Sequence, residues 1–194
     1  GYKYLDITGI GKVIKLIDSA GHSAPLAKIE VSGGRTFLNP AAQGVYEGQE
    51  IEINGGKMDF GNINTLENMP IGTRIFNIET KPGDGGKMVR TSGGFAAVLK
   101  KDDKRIVIRM SNKKEVELNP KCRATVGVIA GQGRVTKPLV KAGKKYHMMK
   151  SKSKLWPRTS AVKVNAVDHP FGGGRGKRIK SKIAKRNAPP GRRV

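Results

Sequence analysis

Of the 23 net positive charges on this chain, 18 fall between Arg134 and Val194, where 19 Lys or Arg meet a single acid, Asp168. Residues 1–133 hold the other 19 Lys or Arg against 14 acids, a net of only +5. A stretch as cationic as the last third repels itself, gains little by collapsing alone and needs a polyanion to neutralise it. Nucleic acid meets that need most fully, because each phosphate contact also releases a condensed counterion. Charge alone therefore separates a near-balanced part able to build a core from a cationic part that is extended or disordered by itself.

The near-balanced part reads as short strands broken by turn residues. Lys12–Ile17 mixes polar and β-branched residues and stops at Asp18-Ser19-Ala20-Gly21. Leu26–Val31 alternates and stops at Gly33-Gly34, and Arg35–Leu38 follows as the return strand of a hairpin. Gln49–Ile53 alternates again before Asn54-Gly55-Gly56. Four or five such strands over residues 8–55 predict a small barrel of the oligonucleotide-binding (OB) type. Met69-Pro70-Ile71-Gly72 interrupts the pattern, and a second set follows: Thr73–Glu79, Ala96–Lys100, Arg105–Met110, Glu115–Leu118 and Arg123–Ile129. These predict a second five-stranded barrel of about SH3 size. The expected fold class is mainly β: an OB-fold barrel (1–70), an SH3-like barrel (71–133) and a basic irregular extension (134–194). Helix is expected to be scarce, with Lys137–Ala142 or Tyr146–Lys150 the best places for a short one. The composition agrees: aromatics are only 5%, lean for one large core, while 26 Gly and 10 Pro supply turns.

Several function classes are disfavoured by what the chain contains. Cys122 is the only cysteine, so no intramolecular disulfide and no thiolate zinc cluster can form, and a reducing, cytosolic setting fits. No apolar run approaches the roughly 18 residues a membrane helix needs, and no signal-peptide core is visible near the start. Residue 1 is Gly and not Met, which leaves room for a natural start upstream. Gly172-Gly173-Gly174-Arg175-Gly176-Lys177 fails as a nucleotide-phosphate loop, because Phe171 stands where the first glycine belongs and Arg178 follows Lys177. Lys81-Pro82-Gly83-Asp84-Gly85-Gly86-Lys87 fails likewise, with Lys81 in the first position. The better reading of the 172–177 glycines is close approach of backbone to RNA phosphates.

Asp168-His169-Pro170 sets the extension's lone carboxylate beside an imidazole. Acid–base chemistry is one reading, although no second carboxylate or serine nucleophile is adjacent. Asp168 orienting His169, or capping a turn ahead of the proline, is another. A hydrogen bond from His169 to RNA is the third, and all three stay open. Trp156 either stacks on a base or anchors the extension to the second barrel. Tyr146-His147-Met148-Met149 is a packing segment, since one His and two adjacent Met do not converge on one ion. Ala188-Pro189-Pro190-Gly191-Arg192-Arg193 is an extended arm with phosphate-seeking arginines.

The extension also carries a family likeness. Lys154-Leu155-Trp156-Pro157-Arg158-Thr159-Ser160 and Val164-Asn165-Ala166-Val167-Asp168-His169-Pro170-Phe171-Gly172-Gly173-Gly174 strongly resemble the large-subunit ribosomal protein two family. Ser23–Ala27, Glu79–Lys87, Asn119–Thr125 and Lys141–His147 match in the family's order, so the resemblance covers nearly the whole chain. Phe171, where bacterial members have a second histidine, and the wording Asn165–Asp168 look archaeal. The resemblance implies the same two barrels and arm, and binding to large-subunit rRNA close to the peptidyl transferase centre. It implies support for subunit association and tRNA binding, and contacts with neighbouring ribosomal proteins and with the small subunit. His169 corresponds to the family histidine proposed to assist peptidyl transfer. Because RNA carries the chemistry in the family picture, His169 is not assigned as catalytic. Family members usually have a basic arm before the first barrel and more basic residues after the Pro190-Gly191-Arg192-Arg193 region; both are absent or short in this sequence, so the resemblance carries no contacts over to the extreme termini.

The expectation is thus a non-enzymatic, cytoplasmic ribosomal component with no membrane partner and no small-molecule substrate. No cofactor is expected, with structural Mg or K ions reaching it only through rRNA. The expected RNA-contacting residues are Lys81, Lys87, Arg90, Lys137, Lys144, Lys145, Lys150, Lys152, Lys154, Trp156, Arg158, Asn165, Asp168, His169, Gly172, Gly173, Gly174, Arg175, Lys177, Arg178, Lys180, Arg186, Arg192 and Arg193. The rivals are an OB-fold RNA-processing enzyme, which needs a carboxylate cluster or a second acid–base group, and a free translation factor.

Overall fold

The computed structural model describes residues 3–5 and 7–174. It divides into a unit ending at Val140 and a second unit beginning at Lys141.

The first unit is mainly β. Its strands are β1 (Gly9–Ile17), β2 (Leu26–Val31), β3 (Arg35–Pro40), β4 (Glu50–Ile53), β5 (Ile63–Thr65), β6 (Arg74–Phe76), β7 (Ala96–Lys101), β8 (Ile106–Met110), β9 (Glu115–Leu118) and β10 (Arg123–Val126). They join in one sheet in the order β3-β2-β1-β4-β5-β10-β6-β7-β8-β9. The pairings are antiparallel except β4–β5, which meet in parallel at Ile53 and Ile63. The Gly33-Gly34 hairpin forms as expected, with Val31 opposite Arg35 and Leu26 opposite Pro40. Alternation along the strands sends one face inward: Leu26, Ile29 and Val31 of β2 and Ile51 and Ile53 of β4 are buried.

Two main apolar clusters follow the chain in order. One gathers Val13, Ile29, Phe37, Ile51, Ile53 and Ile63, with Tyr4. The other gathers Leu66, Met69, Ile75, Ile106, Ile108 and Val126 with other buried residues of the same half. A small third group, Ala24, Ala42, Phe76 and Ile129, brings residues of both halves together. β5 and β10 pair antiparallel, with Thr65 opposite Arg123 and Ile63 opposite Thr125, so the last strand of the unit closes on a strand from its first half.

β5 was not expected from the sequence: three residues with a central Asn carry almost no local strand signal, and the pairing with β10 holds them. The expected strand Arg123–Ile129 stops at Val126, where Gly127 donates its N–H to Arg74 O at 2.7 Å. A single helical turn, α1 (Gly133–Thr136), lies near the end of this unit. In Lys137–Ala142, one expected helix position, residues 137–141 are not helical, and Pro138 lacks the N–H that continuing α1 requires.

In the second unit, α2 (Ala142–Ser151) includes the other expected position, Tyr146–Lys150. A short 3₁₀ turn covers Ala161–Lys163. Neither element contains a buried residue. Among the described residues no helix is long and apolar enough to cross a membrane.

Candidate nucleic-acid interface

Lys81, Lys87 and Arg90 lie on or beside the glycine-rich loop that follows β6. This loop is built around two carboxylates. Glu79, wholly buried, accepts the Gly85 N–H on Oε1 at 3.0 Å and the Gly83 N–H on Oε2 at 3.3 Å. Asp84 accepts the N–H groups of Thr80 (3.1 Å) and Lys81 (3.3 Å) on Oδ2 and that of Gly86 (3.1 Å) on Oδ1, and its Oδ2 also takes the Thr80 hydroxyl. Partial burial pushes the Asp84 carboxyl up, but the Thr80 hydroxyl and these three N–H groups outweigh it and hold it at about 2. Gly86 is required at its position: its φ is +84°, and a Cβ there would lie 2.6 Å from the Asn77 carbonyl oxygen.

Glu79 is fixed from the other side by β10. Arg123 brings its Nη2 within 3.0 Å and its Nε within 3.3 Å of Oε1, its backbone N–H donates to Oε2 at 2.9 Å, and its Nη1 donates to Leu5 O. The guanidinium also lies 5.6 Å from the centre of the Tyr4 ring. Tyr4 Oη donates to Asn77 O at 2.7 Å and lies 2.7 Å from Thr125 Oγ1. Asn39 Nδ2 donates to the same Oγ1, and Asn77 Nδ2 donates to Asn39 Oδ1 at 2.8 Å. Burial pushes the Tyr4 phenol up, and burial followed by the Glu79 charge pushes the Cys122 thiol up to about 11. A buried network of this kind strongly favours one arrangement, because each broken link leaves a desolvated group unpaired.

The loop therefore exposes Lys81 and Lys87 while its own acids face inward or its own backbone. Lys87 Nζ lies 3.5 Å from Asp84 Oδ2, an exposed pair of little energetic weight. Arg90 is half-buried, and its Nε donates to Asn77 Oδ1 at 2.9 Å. Lys137 is exposed at the end of α1.

In the second unit α2 carries Lys144, Lys145 and Lys150. Lys145 Nζ sits 5.1 Å from the centre of the Trp156 ring, which brings a cation and the only tryptophan together. The chain leaves the helix by a tight turn in which the N–H groups of Lys152 and Lys154 both donate to Met149 O. Lys154 and Arg158 are exposed, and Lys152 is half-buried.

The Val164–Gly174 segment is closed by backbone hydrogen bonds. Asn165 O accepts from Asp168 N (3.0 Å) and His169 N (3.3 Å), His169 O from Gly172 N (2.8 Å), and Val164 O from Gly173 N (2.9 Å). Gly172 has no room for a side chain, since a Cβ would fall 2.2 Å from Asn165 O. The His169 ring stands edge-on to Phe171 at 5.1 Å, and its Nδ1 accepts the Phe171 N–H at 3.0 Å. That bond needs the Nδ1 lone pair, so the proton of the neutral ring sits on Nε2. Asp168 is exposed, and the turn holds its backbone N–H. Arg175, Lys177, Arg178, Lys180, Arg186, Arg192 and Arg193 lie outside the described residues.

Sequence reasoning missed Glu79, Arg123 and the Tyr4–Asn39–Asn77–Thr125 network. Glu79 and Arg123 are 44 positions apart and Tyr4 and Thr125 are 121 apart, so no local pattern links them. Among the described residues no group of three or more His, Cys, Asp or Glu is arranged to hold a metal ion.

These features define a class: a β-rich body whose loop acids are bound internally, followed by a cationic segment whose helical elements bury no side chain. The family model for ribosomal proteins L2, C-terminal domain, matches residues 59–191. The chain is 43% identical to large ribosomal subunit protein uL2 of Archaeoglobus fulgidus, an alignment covering 99% of this chain and 82% of that protein. It is 45% identical to uL2 of Methanocaldococcus jannaschii (95% and 78% covered) and 44% identical to uL2 of Methanococcus maripaludis (95% and 78%). The chain belongs to the ribosomal protein L2 (uL2) family, and is a structural component and not an enzyme.

Proposed function

We propose that this protein is a structural constituent of the large ribosomal subunit that binds large-subunit rRNA near the peptidyl transferase centre. In this reading it supports subunit association, tRNA binding and peptide-bond formation without supplying catalytic groups. The body acts as a rigid platform, with an OB-type barrel over 1–70 and an SH3-like barrel over 71–133. The segment from 134 onward enters the RNA, and the protein works inside cytoplasmic ribosomes beside other ribosomal proteins and the small subunit. It holds no cofactor of its own. The observation that carries the reading is the charge segregation, 19 Lys or Arg against one acid after Gly133. Exposed Lys144, Lys150, Lys154 and Arg158 in the second unit agree with it. Phosphate contacts by these side chains supply affinity, and RNA shape supplies selectivity.

The reading is tested by reconstituting large subunits with the full chain and mapping crosslinks from Trp156 through Arg178. Crosslinks to large-subunit rRNA are expected; crosslinks confined to protein neighbours overturn the proposal. A companion variant, His169→Gln, is expected to impair assembly or subunit joining before chemistry. Normal assembly with a selectively slow peptide-bond step would instead make His169 catalytic.

A further inference from the structure

A glycine-rich loop usually recognises phosphate through unoccupied backbone N–H groups. Here those groups have acceptors already. From Thr80 to Lys87, each residue that has a backbone N–H donates it within the protein: five go to the Glu79 and Asp84 carboxylates, and those of Asp84 and Lys87 go to Lys81 O and Ile78 O. The two carboxylates occupy the place an external anion would take. What the loop offers outward is a pair of ammonium groups, Lys81 and Lys87, on a backbone that three glycines would otherwise leave costly to order.

We propose that Glu79 is a positioning residue for RNA recognition: its buried carboxylate, clamped to Arg123 of β10, holds the Thr80–Lys87 loop as an internally satisfied anion cradle that presents Lys81 and Lys87 to phosphates. This rests on the rRNA-binding reading above and names the device that makes one of its surfaces. The loop side chains bind, and the loop backbone does not.

The sign of one substitution separates positioning from simple electrostatics. Glu79→Gln removes a negative charge beside a phosphate-binding loop, so charge alone tightens RNA binding. Positioning makes the opposite prediction. In the full chain, with a large-subunit rRNA transcript from Archaeoglobus fulgidus as probe, Glu79→Gln is expected to weaken binding at least about fivefold. It should also lower the slope of log affinity against log salt by roughly one to two, the equivalent of one or two lost phosphate contacts. Amide exchange at Gly83 and Gly85 should accelerate without RNA. Lys81→Ala/Lys87→Ala should produce a similar loss, and adding Glu79→Gln to it should cost nothing more. Where Glu79→Gln does not fold, Asp84→Asn reads the same quantity from the loop's other carboxylate, with the same expected weakening.

Tighter binding by both acid variants, or additive losses with the lysine pair, overturns the positioning role and leaves the rRNA reading intact. An unchanged affinity in Lys81→Ala/Lys87→Ala removes the loop from the interface and the proposal with it. In that case Lys144→Ala/Lys145→Ala, in the second unit, reports separately on the wider reading: lost affinity keeps it, and unchanged affinity counts against it.

Discussion

Among the described residues, the buried hydrophobic side chains run from Tyr4 to Ile129, whereas α2 and the Ala161–Lys163 turn bury none. The first unit is held by burial. Ile63, Leu66, Ile75, Ile106 and Ile108 are wholly inaccessible, and the deeply buried Arg123–Glu79 ion pair is bonded on both sides. The described residues of the second show local backbone hydrogen bonds together with ring contacts such as Lys145–Trp156 and His169–Phe171. Its helix has ten residues, is preceded by Lys141 at the N-cap with no side-chain cap, and has no acid in its first turn. Each of these disfavours an isolated helix, because short helices are marginal in water and cations sit poorly at the positive end of the macrodipole. The difference teaches a contrast in how shape is held: the body stores it in its own core, and on the proposed function the second unit's conformation is completed by the RNA it binds.

The largest test of that division is truncation after Val140. It removes 17 Lys or Arg and one Asp, and is expected to cut RNA affinity about a thousandfold at moderate salt and flatten its salt dependence. The thermal midpoint of the body should hardly move. A body that unfolds without the second unit would break the comparison.

Next come single side chains in the two regions. Arg123→Met leaves the Glu79 carboxylate buried without its partner and should cost about 3–5 kcal/mol in urea unfolding. Ile63→Ala should cost about 2–5 kcal/mol by opening a cavity at a fully buried position. Leu155→Ala, at an 81% exposed position, should stay within about 0.5 kcal/mol. Equal costs at Ile63 and Leu155 would mean that the second unit has a core of its own.

A finer contrast is visible in hydrogen exchange. Amides of β2 and β10 should exchange only through global unfolding, while those of α2 exchange rapidly in the free protein and slow on RNA. Protected α2 amides without RNA would show that the helix needs no partner.

The smallest effect is acid sensitivity of the loop. Folding lowers the Asp84 carboxyl from 3.8 to about 2, so its contribution is complete above pH about 4 and is lost as pH falls toward 2. Asp84→Asn should remove that part of the acid limb, and the change should be much smaller than the cost of Arg123→Met. An unchanged acid limb would show that the loop's hydrogen bonds do not favour the charged form of Asp84.

Legibility in the sequence tracked distance along the chain. Leu26–Val31 and Glu115–Leu118 were readable to the residue because alternation is a local signal, and the Gly33-Gly34 turn needs only its neighbours. β5 was unreadable because Ile63–Thr65 becomes a strand only when β10 arrives from residues 123–125. Of the interface, the exposed lysines and Trp156 were legible as residue types. The pairing of Lys145 with Trp156 and the inward commitment of Arg90 were not.

By itself, the sequence determined the cationic last third, the mainly β body and the family, since charge, alternation and ordered motifs survive without a fold. Only the tertiary structure decided that the glycine-rich loop fills its own anion cradle, because the carboxylate that orders it is clamped by an arginine 44 residues away. Burial turns two distant and unremarkable charges into one rigid element, and no property of either residue in isolation announces it.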